Sequence, residues 1–131
     1  MSISTTTLNK IISQYKHESD SWKRYLQFIQ QENNYLKTRL SQALQHDTDA
    51  EFLDRAEYFQ NKFLNEDETV HLLRQDVHEM ETLLEDKLYE GNSIIKELQK
   101  KFKKLSRDMD TVERQFNKLK TDFNEFLNEA A

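Results

Sequence analysis

The chain has no cysteine and no proline, and its single glycine is Gly91. Without cysteine there is no disulfide framework, no thiolate metal site and no thiol nucleophile, a composition that fits a reducing compartment. Without proline, and with one glycine, almost nothing interrupts a helix. The same shortage excludes a strand-rich fold, which needs turn residues every ~8–12 positions. Long apolar runs are missing too: the longest is two residues, far short of the ~20 that a membrane-spanning helix requires. The opening Met-Ser-Ile-Ser-Thr-Thr-Thr lacks the basic start and apolar run of a secretion signal. These absences lead us to expect a soluble, cytoplasmic protein.

Charge and regular apolar spacing fill the space. Hydrophobic residues make up 36% and charged residues 33% of the 131 positions, a balance that suits helices burying a narrow stripe and wetting the rest. Fourteen aromatic residues argue against disorder. From Ile95 the apolar positions run Leu98, Phe102, Leu105, Met109, Val112, Phe116, Leu119, Phe123 and Phe126, at alternating steps of three and four. Such a stripe averages 3.5 residues and predicts a helix packed in left-handed, coiled-coil-like fashion against partner helices.

The rest of the chain repeats the pattern. A first helix reads Leu8, Ile12, Tyr15, Ser19, Trp22, Leu26, Ile29, Asn33, Leu36, Leu40 and Ala43, opened by the hydroxyls of Ser4 to Thr7 as caps. It stops at His46-Asp47-Thr48-Asp49, where Thr48 and Glu51 form a capping-box signature for a second helix. That helix continues through Phe52, Ala56, Phe59, Phe63, Glu66, Val70, Leu73, Val77, Met80 and Leu84. At Glu90-Gly91-Asn92-Ser93 a stop and restart competes with one continuous helix carrying a stutter; the turn is favoured. The expected fold is all-α: a single domain over 1–131, an elongated antiparallel three-helix bundle with helices near 7–46, 48–90 and 93–128.

Charge supports the two hairpins. The net is +3 over 1–46, −10 over 47–90, +5 over 91–120 and −3 over the last eleven residues, which gives the −5 of the whole chain. A middle helix opposite in sign to both neighbours favours pairing along its edges. Folding at Gly91 is expected to set Lys100, Lys101, Lys103, Lys104 and Arg107 beside Asp76, Glu79, Glu81, Glu85 and Asp86.

Little of the chain offers chemistry. Glu68-Thr69-Val70-His71 is a Glu-x-x-His, the unit that di-iron bundles use in duplicate, but it occurs once. Val70 on the core stripe turns Glu68 and His71 outward, and His78 lies too far along for a shared ion. Asp47, Asp49 and Glu51 resemble the start of a calcium loop whose glycine and closing glutamate are missing. No phosphate loop, nucleophile elbow or paired zinc histidines occur, and His17, His46, His71 and His78 are scattered. We expect no enzyme, no metal and no cofactor. The basic run Lys96–Lys104 would meet nucleic acid or lipid only if the acidic helix left it free, so neither partner is expected.

Two features remain. Ser19, Asn33 and Glu66 are polar at inward positions, where such residues fix register while weakening a core; Asn33 and Glu66 fall near one level of the first hairpin, as a shared polar layer or with Glu66 reaching out to solvent. Beside the stripes, the first helix carries Tyr25, Phe28 and Tyr35 and the second Tyr58, Leu64 and Leu72. A three-helix core has no obvious use for them, so either they widen it or they form a self-association or partner-binding strip; exposed apolar groups together mark interfaces, and the strip is favoured. Phe28, Tyr35, Tyr58 and Leu64 are therefore the candidate anchors of a noncatalytic interaction or scaffold module that meets another protein or a second copy of itself. The alternatives are a small acidic chaperone or adaptor holding an export or assembly client, and a carboxylate metal bundle. The plan resembles spectrin-type repeats, syntaxin-like regulatory bundles, co-chaperone bundles and bacterial export chaperones. That likeness is one of architecture, which gives no function.

Overall fold

The computed structural model describes residues 5–47, 49–85 and 92–130. They form three helices, α1 (Thr5–His46), α2 (Ala50–Glu85) and α3 (Asn92–Ala130). At ~1.5 Å per residue each runs roughly 55–65 Å, so the bundle is long and thin. Among the described residues there is no strand, and no helix is long and apolar enough to cross a membrane.

Direction follows from which side chains meet. Lys23 pairs with Glu81, Gln30 with Arg74 and Lys37 with Asp67, so α1 and α2 are antiparallel. Phe52 stacks on Phe126, Phe63 meets Phe123 and Arg55 pairs with Glu129, so α2 and α3 are antiparallel as well. The single continuous helix from 48 to 128 is thereby excluded. Asn92 and Ser93 already belong to α3; the rest of the expected turn, with Gly91, lies outside the described residues, as do Thr48 and Ser4. Asp49 opens α2: its carbonyl accepts the Leu53 N–H at 2.9 Å, and its own N–H donates to the Asp47 carboxylate at 3.0 Å. Helix entry thus employs the acids that resembled a calcium loop.

The apolar stripes are the buried ones. All ten inward positions read for α2, from Phe52 to Leu84, are buried. On α3 every stripe residue from Ile95 to Phe126 is buried except Phe102, which is half-buried. One end of the core is aromatic: Phe59, Phe63, Phe123, Phe126 and Phe52 lie ring to ring with centroids 5.0–6.5 Å apart. Fully burying each such ring is worth ~1.5–3 kcal/mol, and favourable ring pairs add ~0.5–1.5. Toward the other end the buried side chains are not aromatic: Met80, Leu84, Leu98, Leu105 and Met109.

α2 packs along both other helices, whereas α1 and α3 meet sparsely. Their seam is held by Tyr15 stacked on Phe102 at 4.0 Å and Trp22 tilted against the same ring at 5.1 Å. Further along, Lys120 pairs with Glu32 at 3.1 Å and Arg39 donates to Asn124 at 2.8 Å. Phe102, Tyr15 and Trp22 stay half-buried at the edge of the core.

The expected meeting of the α3 lysines with the α2 acids forms only in part among the described residues: Lys104 is raised first by its bond to Asp108 and to a smaller degree by the charge of Asp76 on α2, but no direct ion pair joins the two groups. Glu81 is taken by Lys23 of α1, and Lys104 pairs with Asp108 one turn along its own helix at 2.8 Å. A partner at i+4 is always within reach.

Candidate interaction surface

The stripes bury one side of each helix, so residues between them are exposed unless a neighbour leans over. Phe28 is 49%, Tyr35 58%, Tyr58 55% and Leu64 53% exposed. Leu53 and Leu72 on α2 are exposed as well; Leu53 was missed in the sequence because it follows the core residue Phe52 and reads as part of the stripe.

The four anchors do not converge. Phe28 and Tyr35, seven residues apart, lie on one side of α1. The Phe28 ring lies near that of Tyr25, with centroids 6.2 Å apart, and Tyr25 packs on the core. Tyr35 lies under the Arg39 guanidinium at 5.9 Å, the same group that reaches Phe123 and Asn124. The α1 pair therefore borders the thin seam with α3. Tyr58 stands elsewhere, edge-on to Phe59 and beneath Lys62, lining a cleft of about 300 Å³ between α2 and α3 with Glu66, Leu119 and Asp122. Leu64 is on the outer side of α2, and no ring contact joins the four among the described residues.

Under this surface is a polar layer. The Asn33 amide nitrogen donates to the Phe63 carbonyl at 2.9 Å and to Asp67 Oδ1 at 2.8 Å, while Lys37 holds the other Asp67 oxygen. Glu66 does not reach out to solvent: it is 7% exposed, and its Oε1 has no hydrogen-bond partner. Nor does it join Asn33 in one layer, since Asn33 is bound to Asp67 instead. Burial, with a smaller push from the Asp67 charge, raises the Glu66 carboxyl to about 7. Tyr25 on α1 is raised by burial and then by the Glu113 and Glu66 carboxylates, while Glu66 also lines the α2–α3 cleft. Ser19 Oγ and Asn33 Oδ1 are also buried without partners.

Glu68, His71 and His78 are all exposed, and the His71 ring meets Gln75 at 3.2 Å. Among the described residues no three His, Asp or Glu side chains are grouped to hold a metal ion. No protein-family model, curated protein or solved structure matches this chain, so its function rests on its own residues.

Proposed function

We propose that this protein is a noncatalytic interaction module of the cytoplasm, a rigid helical scaffold that presents the outer side of α1 to another protein. The observation that carries the reading is the pair Phe28 and Tyr35, 49% and 58% exposed and one heptad apart on a helix whose core stripe is already filled. Burying two such rings in a partner's pocket is the usual anchor of a protein interface. Tyr58 and Leu64 offer separate, smaller footholds on α2. The test is Phe28→Ser with Tyr35→Ser: helicity is retained and association is lost. Association unchanged in a folded double variant contradicts the reading.

A second reading, an acidic adaptor that opens to hold a client helix, is favoured by the three unpartnered oxygens of Ser19, Asn33 and Glu66. Each makes the closed bundle costlier. Amide exchange separates the two: fast exchange along one whole helix supports the adaptor, and slow exchange in all three supports the rigid module.

A further inference from the structure

The cleft of about 300 Å³ between α2 and α3 stands at the lower end of small-ligand sites, which run ~300–1,000 Å³. α2 contributes Tyr58, Phe59 and Glu66 to it, and α3 contributes Leu119. Phe59 and Leu119 are buried, whereas Tyr58 is exposed. The neutral hydrogen-bonding side chains of Asn65, Thr69 and Gln115 also line it.

Glu66 is the odd member of this lining. It is 7% exposed, and no donor meets its Oε1, so the carboxyl has lost water without gaining a partner, an arrangement that destabilises the fold. The lysines that line the same cleft are engaged elsewhere: Lys118 pairs with Asp122 at 2.8 Å, and Lys62 stands over the Tyr58 ring at 5.5 Å. Lys62 precedes Glu66 by four residues, a spacing at which opposite charges on one helix meet readily, yet it leaves that Oε1 without a partner. Its position shows instead that the Tyr58 face accepts an ammonium group.

The chemistry that answers this site is a cation with hydrogen-bond donors and an apolar body. A carboxylate in the wall repels anionic ligands. A hard metal ion takes several oxygen ligands, and no three His, Asp or Glu side chains are grouped to hold one among the described residues. A neutral alcohol supplies a donor without a charge. An ammonium supplies both, and it favours the ionised carboxyl. We infer that this cleft is a binding site for a small organic ammonium ion, with the charged group on Glu66 and the apolar body against Tyr58, Phe59 and Leu119. The site is separate from Phe28 and Tyr35 on α1, so the failure of one reading leaves the other standing.

Calorimetric titration of the full chain with phenethylammonium tests it, with phenethyl alcohol as the uncharged match. At pH 8 the amine is expected to bind one to one, and the alcohol roughly tenfold more weakly or not at all. Glu66→Gln keeps the shape of the side chain and removes its charge; it should retain the helical spectrum and lose affinity by roughly tenfold or more. Tyr58→Ala, at an exposed position, should weaken binding severalfold. The Glu66 carboxyl is raised to about 7, while an alkylammonium stays charged to ~10. Wild-type affinity should therefore rise from pH 5 to pH 8. The other titratable groups nearby are Lys62 and Asp67 on α2, Tyr25 on α1, and Glu113, Lys118 and Asp122 on α3. A flat profile in Glu66→Gln assigns the slope to Glu66 and not to them. No saturable binding to the wild type at pH 8, equal affinity for the alcohol, or full affinity in folded Glu66→Gln overturns the inference.

Discussion

Asn33 on α1 donates to Asp67 on α2 at 2.8 Å with the same amide nitrogen that serves the Phe63 carbonyl at 2.9 Å. One buried side chain thereby ties the first hairpin at a single level, through both a backbone and a side-chain acceptor. Any slip of α1 along α2 breaks both bonds and strands the Asp67–Lys37 pair. Asn33→Ala is expected to cost about 1–3 kcal/mol in urea unfolding, the range for leaving a buried polar group unsatisfied. Asn33→Ala and Asp67→Ala combined should cost less than the sum of the single changes; strict additivity counts against the shared layer.

Glu66 makes stability depend on pH. Its carboxyl is raised to about 7 in the fold, from an ordinary 4.5, so between these values the folded chain holds more protons than the unfolded one. Stability then falls as pH rises through that window and levels off above it. At ~1.4 kcal/mol per unit, and allowing for water entering the α2–α3 cleft, the loss is about 2 kcal/mol. Glu66→Gln is expected to flatten the profile and to be more stable than wild type at pH 8. Urea midpoints at pH 5 and pH 8 check this; a wild type more stable at pH 8 contradicts it.

The aromatic end of the core is expected to be its strongest part. Phe123 is fully buried and meets Phe59, Phe63 and Phe126, so Phe123→Ala should cost about 3–5 kcal/mol. Phe102 is half-buried, at the edge of the core, and its ring partners are Tyr15 and Trp22. Phe102→Ala should cost less than half as much, yet red-shift the emission of Trp22, which reports on the α1–α3 seam alone. Equal losses at the two sites contradict the uneven core.

Much of this was legible because a 3-4 spacing specifies azimuth on its own helix. Every inward residue of α2 from Phe52 to Leu84 is buried, including Glu66. Spacing alone does not say which neighbour leans over a residue. Tyr25 reads as off the stripe but packs on the core, whereas Phe28, three residues on, stays exposed. For the same reason the sequence, which already put Phe28 and Tyr35 on one helix and Tyr58 and Leu64 on the next, could not say whether the two pairs meet; among the described residues no ring contact joins Phe28 or Tyr35 to Tyr58. Charge guided only in part: opposite signs on successive helices promised pairing of the α3 lysines with α2, and Lys104 does feel Asp76, but its direct partner is Asp108 at i+4 and that of Glu81 is Lys23. The fate of Glu66 was unreadable, because whether an inward acid stays buried depends on the three-helix surroundings.

Photo-crosslinking from position 28 tests the central claim most directly. With p-benzoylphenylalanine in place of Phe28, in the full chain and its native cells, the account predicts a discrete protein adduct. The same group at exposed Gln27, about 100° around the helix, should give none. No adduct from position 28, or equal adducts from both positions, would contradict an interaction surface on this side of α1.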